Sequence, residues 1–137
     1  MLPDISSSSA ELSVIVTAEM TARLDGREIH PVYSTFWIAH HAEIVARRLL
    51  EPHLEPGEEG IGTALTINHR SMAVIGETVV YHAVVLEVGG RRVRCSWTAK
   101  TPRALIAEGT QEQAVLPAEV LRARVAEVYA AHTSAKT

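Results

Sequence analysis

The order of apolar and polar positions divides the chain into strand-like and helix-like stretches. Residues 11–24, Glu-Leu-Ser-Val-Ile-Val-Thr-Ala-Glu-Met-Thr-Ala-Arg-Leu, are rich in β-branched side chains and partly alternate, which predicts a strand. Asp25-Gly26 then signals a turn. From 34 to 53 the period changes. Phe36, Ala39, Glu43, Ala46 and Leu50 recur every three or four residues, which predicts a helix with these positions on one face. Arg47, Arg48, Glu51 and His53 read as its solvated side. Ser34 or Thr35 can cap its start, and Pro52 and Pro56-Gly57 bring it to an end. Four more strand-like stretches follow, at 60–70, 78–88, 91–100 and 105–116. Gly89-Gly90 joins the second to the third as a tight hairpin, and Thr101-Pro102-Arg103 turns the third into the fourth. Residues 117–131 predict an amphipathic helix, with Pro117 in its first turn and Val120, Leu121, Val125 and Val128 on one face.

One strand, one long helix, four antiparallel strands and a last helix imply an α+β layer architecture, with a five-stranded antiparallel sheet around the helix. The 137 residues suffice for one domain and are too few for two. The domain is expected over 11–132, after a disordered lead-in at 1–10 that carries four serines, and before a flexible tail at 133–137. A 47 % apolar content permits a packed core without staples.

Charge and cysteine content narrow the function classes. A net charge of −3 and a pI near 6.1 argue against a nucleic-acid binder. A single cysteine, Cys95, excludes an intrachain disulfide and suits a cytoplasmic location. No apolar run approaches the ~20 residues that span a bilayer. The start, Met1-Leu2-Pro3-Asp4-Ile5, lacks the basic and apolar segments of a signal peptide.

Few residues offer chemistry. Glu43 lies mid-helix on or beside the apolar face, where a carboxylate is costly unless paired or used. Its commonplace role is to pair with Arg47 one turn on. His69 ends a strand of small and apolar residues beside a turn, a frequent position for a site residue, although most such histidines are surface groups. Thr35 stands at the helix start. Its hydroxyl either caps the helix or lies near free backbone N–H groups suited to an oxyanion. Gly62 is either an ordinary strand glycine or a point of close ligand approach. His40 and His41 diverge by about 100° on a helix and cannot chelate one ion, and no zinc-type spacing occurs, so no metal is expected. A phosphate-binding glycine loop and a Gly-x-Ser-x-Gly elbow are both missing.

Taken together, these segments resemble the hotdog-fold thioesterases, specifically the fluoroacetyl-CoA thioesterase group. The likeness rests on Leu54-Glu55-Pro56-Gly57-Glu58, Gly62-Thr63-Ala64, Asn68-His69, Glu87-Val88-Gly89-Gly90-Arg91-Arg92, Trp97, and Gly109-Thr110-Gln111-Glu112-Gln113-Ala114-Val115. It spans roughly residues 32–116 without gaps. The resemblance implies a hotdog fold whose reaction site joins Thr35, Glu43 and His69, with Gly62 letting the backbone contact the thioester. It also implies a homodimer or dimer of dimers, with sites between subunits. Two positions depart from the family. Gly26-Arg27-Glu28-Ile29-His30 contains no aromatic where the fluoroacetyl enzyme has lid residues. The family's Gly-Thr-His-Glu-Arg run has Gln111 for the histidine and Gln113 for the arginine, so that arginine's substrate contact is either missing or replaced by one from Gln113.

The expected activity is hydrolysis of a short or small acyl-CoA to the free acid and CoA, with no cofactor beyond the substrate's own CoA. Glu43 serves as general base toward water or attacks the carbonyl itself. His69 holds the carboxylate or protonates the thiolate, and Thr35 orients the acyl group. Arg70, Arg91, Arg92 and Arg122 are candidate phosphate ligands. The competing expectation is a non-catalytic acyl-CoA or small-ligand binding module of the same fold. A hotdog hydratase would want an Asp and a His five apart near the helix start, and this chain has no such pair.

Overall fold

The computed structural model describes residues 1–135. An antiparallel sheet runs in the order β1 (Ser9–Ile15), β6 (Thr78–Gly89), β7 (Arg92–Lys100), β8 (Leu105–Pro117), β4 (Glu58–Leu65). A two-residue strand, β5 (Asn68–His69), continues beyond β4 along β8. The expected five-strand sheet is therefore present, with β5 as a short addition. The single strand expected at 11–24 is two. After β1 the chain makes a 3-10 turn, Ala18–Met20, and enters a separate hairpin of β2 (Thr21–Leu24) and β3 (Arg27–Tyr33). Asp25 and Gly26 both take positive φ, 53° and 73°, as a two-residue turn of primed type demands. The β6–β7 turn falls one residue later than expected, on Gly90-Arg91, with Gly90 at φ 60°.

The long helix, α1 (Thr35–Leu50), lies on one face of the sheet, and a 3-10 turn at Glu51–His53 completes the stretch expected to be helical. Ser34, not Thr35, is its cap, accepting a hydrogen bond from the Trp37 N–H at 3.1 Å. The buried face is Ile38, Ala42, Val45, Ala46, Leu49 and Leu50, packed on Val79, Tyr81, Val93, Trp97 and their neighbours. That face is rotated from the one read in the sequence. Phe36 is 74 % exposed, because Ile38, Ala42, Val45 and Leu49 form the longer unbroken apolar stripe.

The lead-in expected to be disordered is packed down. Residues Pro3–Ser7 form a 3-10 turn, Ile5 is 2 % exposed, the Leu2 N–H reaches the His53 carbonyl at 2.7 Å, and β1 starts at Ser9. Ile5 in the core, Met1 packed against it and the Met1 amino group paired with Glu55 and Glu58 together anchor the segment. The last helix, α2 (Ala118–Ala135), runs through the tail expected from 133 as far as Ala135; residues 136–137 lie outside the described residues. No α2 residue is buried. No described helix is long and apolar enough to cross a membrane.

Candidate active site

The site is built where β4 gives way to β5. At that junction the chain crosses close over β8. A Cβ on Gly109 would lie 1.8 Å from the Thr66 carbonyl oxygen, so only glycine lets the two backbones approach. Thr66 and Thr110 fasten the crossing. The Thr66 N–H reaches the Thr110 carbonyl at 2.9 Å, and the Thr110 N–H reaches the Thr66 hydroxyl at 2.8 Å. The crossing carries β5 to the N-terminal end of α1. There the Thr35 hydroxyl and His69 Nδ1 lie 2.9 Å apart, a hydrogen bond between groups 34 residues apart in sequence. Ser34 has taken over the capping, so the Thr35 hydroxyl is available for this contact. Both residues are exposed.

Glu43 belongs to a second cluster. It is half-buried under β4, and Gln111 Nε2 donates to its Oε2 at 3.3 Å. Gly62 lies directly above the pair. A Cβ there would fall 2.9 Å from Glu43 Oε2 and 3.4 Å from Gln111 Nε2. Gly62 is thus the opening through which an exposed strand edge meets the carboxylate. Arg47, one turn beyond Glu43, is engaged elsewhere, with Glu51, Glu59 and the Gly60 carbonyl. The helical pairing that would have made Glu43 a commonplace surface residue is absent among the described contacts.

Thr35 is the first residue of a regular helix and Glu43 lies eight residues on, ~12 Å along the axis. Within one chain, Thr35 and His69 form one cluster and Glu43, Gln111 and Gly62 another.

Comparison with known proteins gives these clusters a context. The profile of the family described as fluoroacetyl-CoA-specific thioesterase matches residues 16–119. The chain belongs to that family. It is 34 % identical over 98 residues to the fluoroacetyl-CoA thioesterase of Streptantibioticus cattleyicolor, covering 72 % of this chain and 70 % of the relative. Among solved structures, a Thermus thermophilus thioesterase superfamily member superposes with a TM-score of 0.87 at 35 % identity, over 96 % of this chain and 99 % of the other. A fluoroacetyl-CoA thioesterase superposes with a TM-score of 0.80 at 28 % identity, over 88 % and 94 %. The fold is accordingly the hotdog fold, and the chain is an acyl-CoA thioesterase, a hydrolase of the thioester bond. The family favours this activity over a non-catalytic binding module of the same fold.

The thioesterase's two glutamines divide the work differently from the sequence reading. Gln113, expected at the substrate, is 3 % exposed and gives its amide N–H to the Ala46 carbonyl of α1 at 2.9 Å. It is turned to the helix because its β8 position faces the core. Gln111, noted in the sequence only as a departure, is the residue beside Glu43. The available signal was parity: Gln111, Gln113 and Val115 share one face of β8, so two amides stand where an apolar pattern would continue.

A further buried polar group sits on the other side of α1. The Tyr33 hydroxyl bonds both His41 Nδ1 and the Tyr81 hydroxyl, each at 2.5 Å. Burial lowers His41 to about 4, with a smaller contribution from His40, so its ring is neutral near pH 7. Cys95, on β7 opposite Gln111, is pushed up to about 11, mainly by burial and partly by the nearby Glu43 charge. Among the described residues no group of three or more His, Cys, Asp or Glu side chains could hold a metal ion.

Proposed function

We propose that this thioesterase hydrolyses a short or small acyl-CoA at a site shared by two subunits, with Thr35 and His69 from one and Glu43 from the other. The observation that carries the reading is the separation of the two clusters within one chain. A thioester carbonyl must lie ~3 Å from every group that acts on it, and ~12 Å of straight helix divides Thr35 from Glu43. The outer edge of β4, which includes Gly62, has no strand beside it among the described residues and lies next to the carboxylate, suited to a second copy. The assembly is then a homodimer, open to further pairing.

In this mechanism Glu43 activates the attack, either as general base taking a proton from water, or as direct nucleophile giving a mixed anhydride that water then cleaves to the free acid and the regenerated carboxylate. The carbonyl oxygen gathers charge near Thr35 and the free N–H groups at the start of α1. The carbon–sulfur bond breaks, and the proton delivered through His69 neutralises the departing CoA thiolate. No cofactor is required, because the thioester is already activated. The cytoplasm, where CoA thioesters are made and used, is the location this chemistry suits. Candidate ligands for the CoA phosphates are Arg91, Arg92 and Arg124, which share a largely apolar groove of about 620 Å³ with Ile61, Leu116 and Val120. Arg92 is paired with Glu112, while Arg91 and Arg124 form no ion pair among the described residues. Arg70 instead lines a separate cleft beside His69, and Arg122 lines neither.

Complementation tests the shared site. Glu43→Gln and His69→Ala dimers, each inactive alone, are mixed and allowed to exchange subunits. A heterodimer then holds one intact site, and activity returns to about a quarter of wild type at full exchange. No recovery despite demonstrated exchange places the whole site within one chain and refutes the proposal.

A further inference from the structure

Gln111 occupies a position that folding alone does not explain. It sits on the inward face of β8, opposite the buried Cys95 of β7, and it is 1 % exposed. Its Nε2 donates to Glu43 Oε2 at 3.3 Å. Its Oε1 is buried with no hydrogen-bond partner, the one such side-chain atom among the described residues. A buried carbonyl oxygen left without a donor costs stability, and an apolar residue of the same size would avoid that cost.

We infer that Gln111 is a positioning residue for the reaction: it donates one amide N–H to Oε2 of Glu43 and fixes the plane of the carboxylate, leaving Oε1 of Glu43 to act. This rests on the reading of Glu43 as the activating group. Three features agree. Gly62 lacks the Cβ that would press on Glu43 Oε2. Arg47 is bound to Glu51 and Glu59 and does not compete for Glu43. The unsatisfied Oε1 marks a residue retained at a cost to stability, as active-site groups often are. A donor that acts only on the orientation of the reacting group should influence kcat more than KM.

The test compares Gln111→Met, Gln111→His and Glu43→Gln in steady-state hydrolysis of the best acyl-CoA, alongside urea unfolding. Gln111→Met keeps the volume, removes the donor and also removes the orphan acceptor. Its expected result is stability equal to or above wild type, kcat lower by ~10- to 100-fold, and KM within about threefold. Gln111→His restores a donor and recovers most of kcat. A space-filling role would give the reverse, lower stability with unchanged kcat in Gln111→Met, and that result overturns the inference. A Gln111→His enzyme no faster than a folded Gln111→Met also overturns it. If Glu43→Gln retains wild-type turnover, the reading of Glu43 fails first; if Glu43→Gln is inactive and Gln111→Met is normal, only the inference about Gln111 fails.

Discussion

Replacing Gly62 by alanine separates reaction geometry from folding. The new methyl carbon would lie 2.9 Å from Glu43 Oε2, 3.4 Å from Gln111 Nε2 and 3.7 Å from Glu43 Cδ. Ordinary contact begins near 3.4 Å, so the carboxylate must retreat by about 0.5 Å. The obstructing atom is the end of a flexible side chain, and φ at Gly62 is not in the left-handed region, so the fold absorbs the change for less than about 1 kcal/mol. The reaction does not absorb it so readily. A misplacement of ~1 Å costs up to about 100-fold, so half of that predicts a loss near tenfold, equal to about 1.4 kcal/mol of barrier. The assay is kcat/KM for the best acyl-CoA, with the midpoint of thermal unfolding as control. Wild-type kcat/KM in Gly62→Ala would refute the claim that Gly62 opens onto a reacting carboxylate.

Other perturbations act on the supporting structure. Gly109→Ala drives a methyl into the Thr66 carbonyl, a backbone atom that cannot step aside, so Tm should fall by roughly 5–10 °C and turnover should drop as His69 leaves Thr35, checked by calorimetry and rate. His41 is about 4 in the folded chain and near 6.5 when unfolded, so its contribution is whole above pH 6.5 and is lost as pH falls toward 4. Urea unfolding at pH 7 and 4.5 should differ by about 2–3 kcal/mol from this group, and His41→Gln should flatten the difference. Cys95, buried and raised to about 11, should resist iodoacetamide at pH 7.5 until the chain is unfolded.

Much of the fold was legible because strands and helices differ in period. The alternation in β6, β7 and β8 and the Asp25-Gly26 turn signal translate directly into the sheet and the β2–β3 hairpin. The β3 strand itself was missed, since Arg27–Tyr33 carries Glu28, His30 and Pro31 and buries only Tyr33 fully. The orientation of α1 was misread because Ala39 and Phe36 fit a three- and four-residue spacing as well as Ile38 and Ala42 do. Only contact with the sheet decides between those faces. For the site, each of Thr35, Glu43 and His69 had a commonplace alternative in the sequence, and family resemblance singled them out. Their partners were hidden for a physical reason: the Thr35–His69 and Glu43–Gln111 contacts join residues 34 and 68 positions apart, beyond any local pattern.

In the proposed mechanism the Glu43 carboxylate activates the attack on the thioester, with His69 at the leaving group. The most direct measurement of these roles is turnover by Glu43→Gln and His69→Ala on the fastest substrate in a panel of short, branched and aromatic acyl-CoAs, with folding verified by unfolding curves. This mechanism predicts a loss of ~10²-fold or more for Glu43→Gln and a clear loss for His69→Ala, both in folded protein. Wild-type turnover by both variants would contradict it.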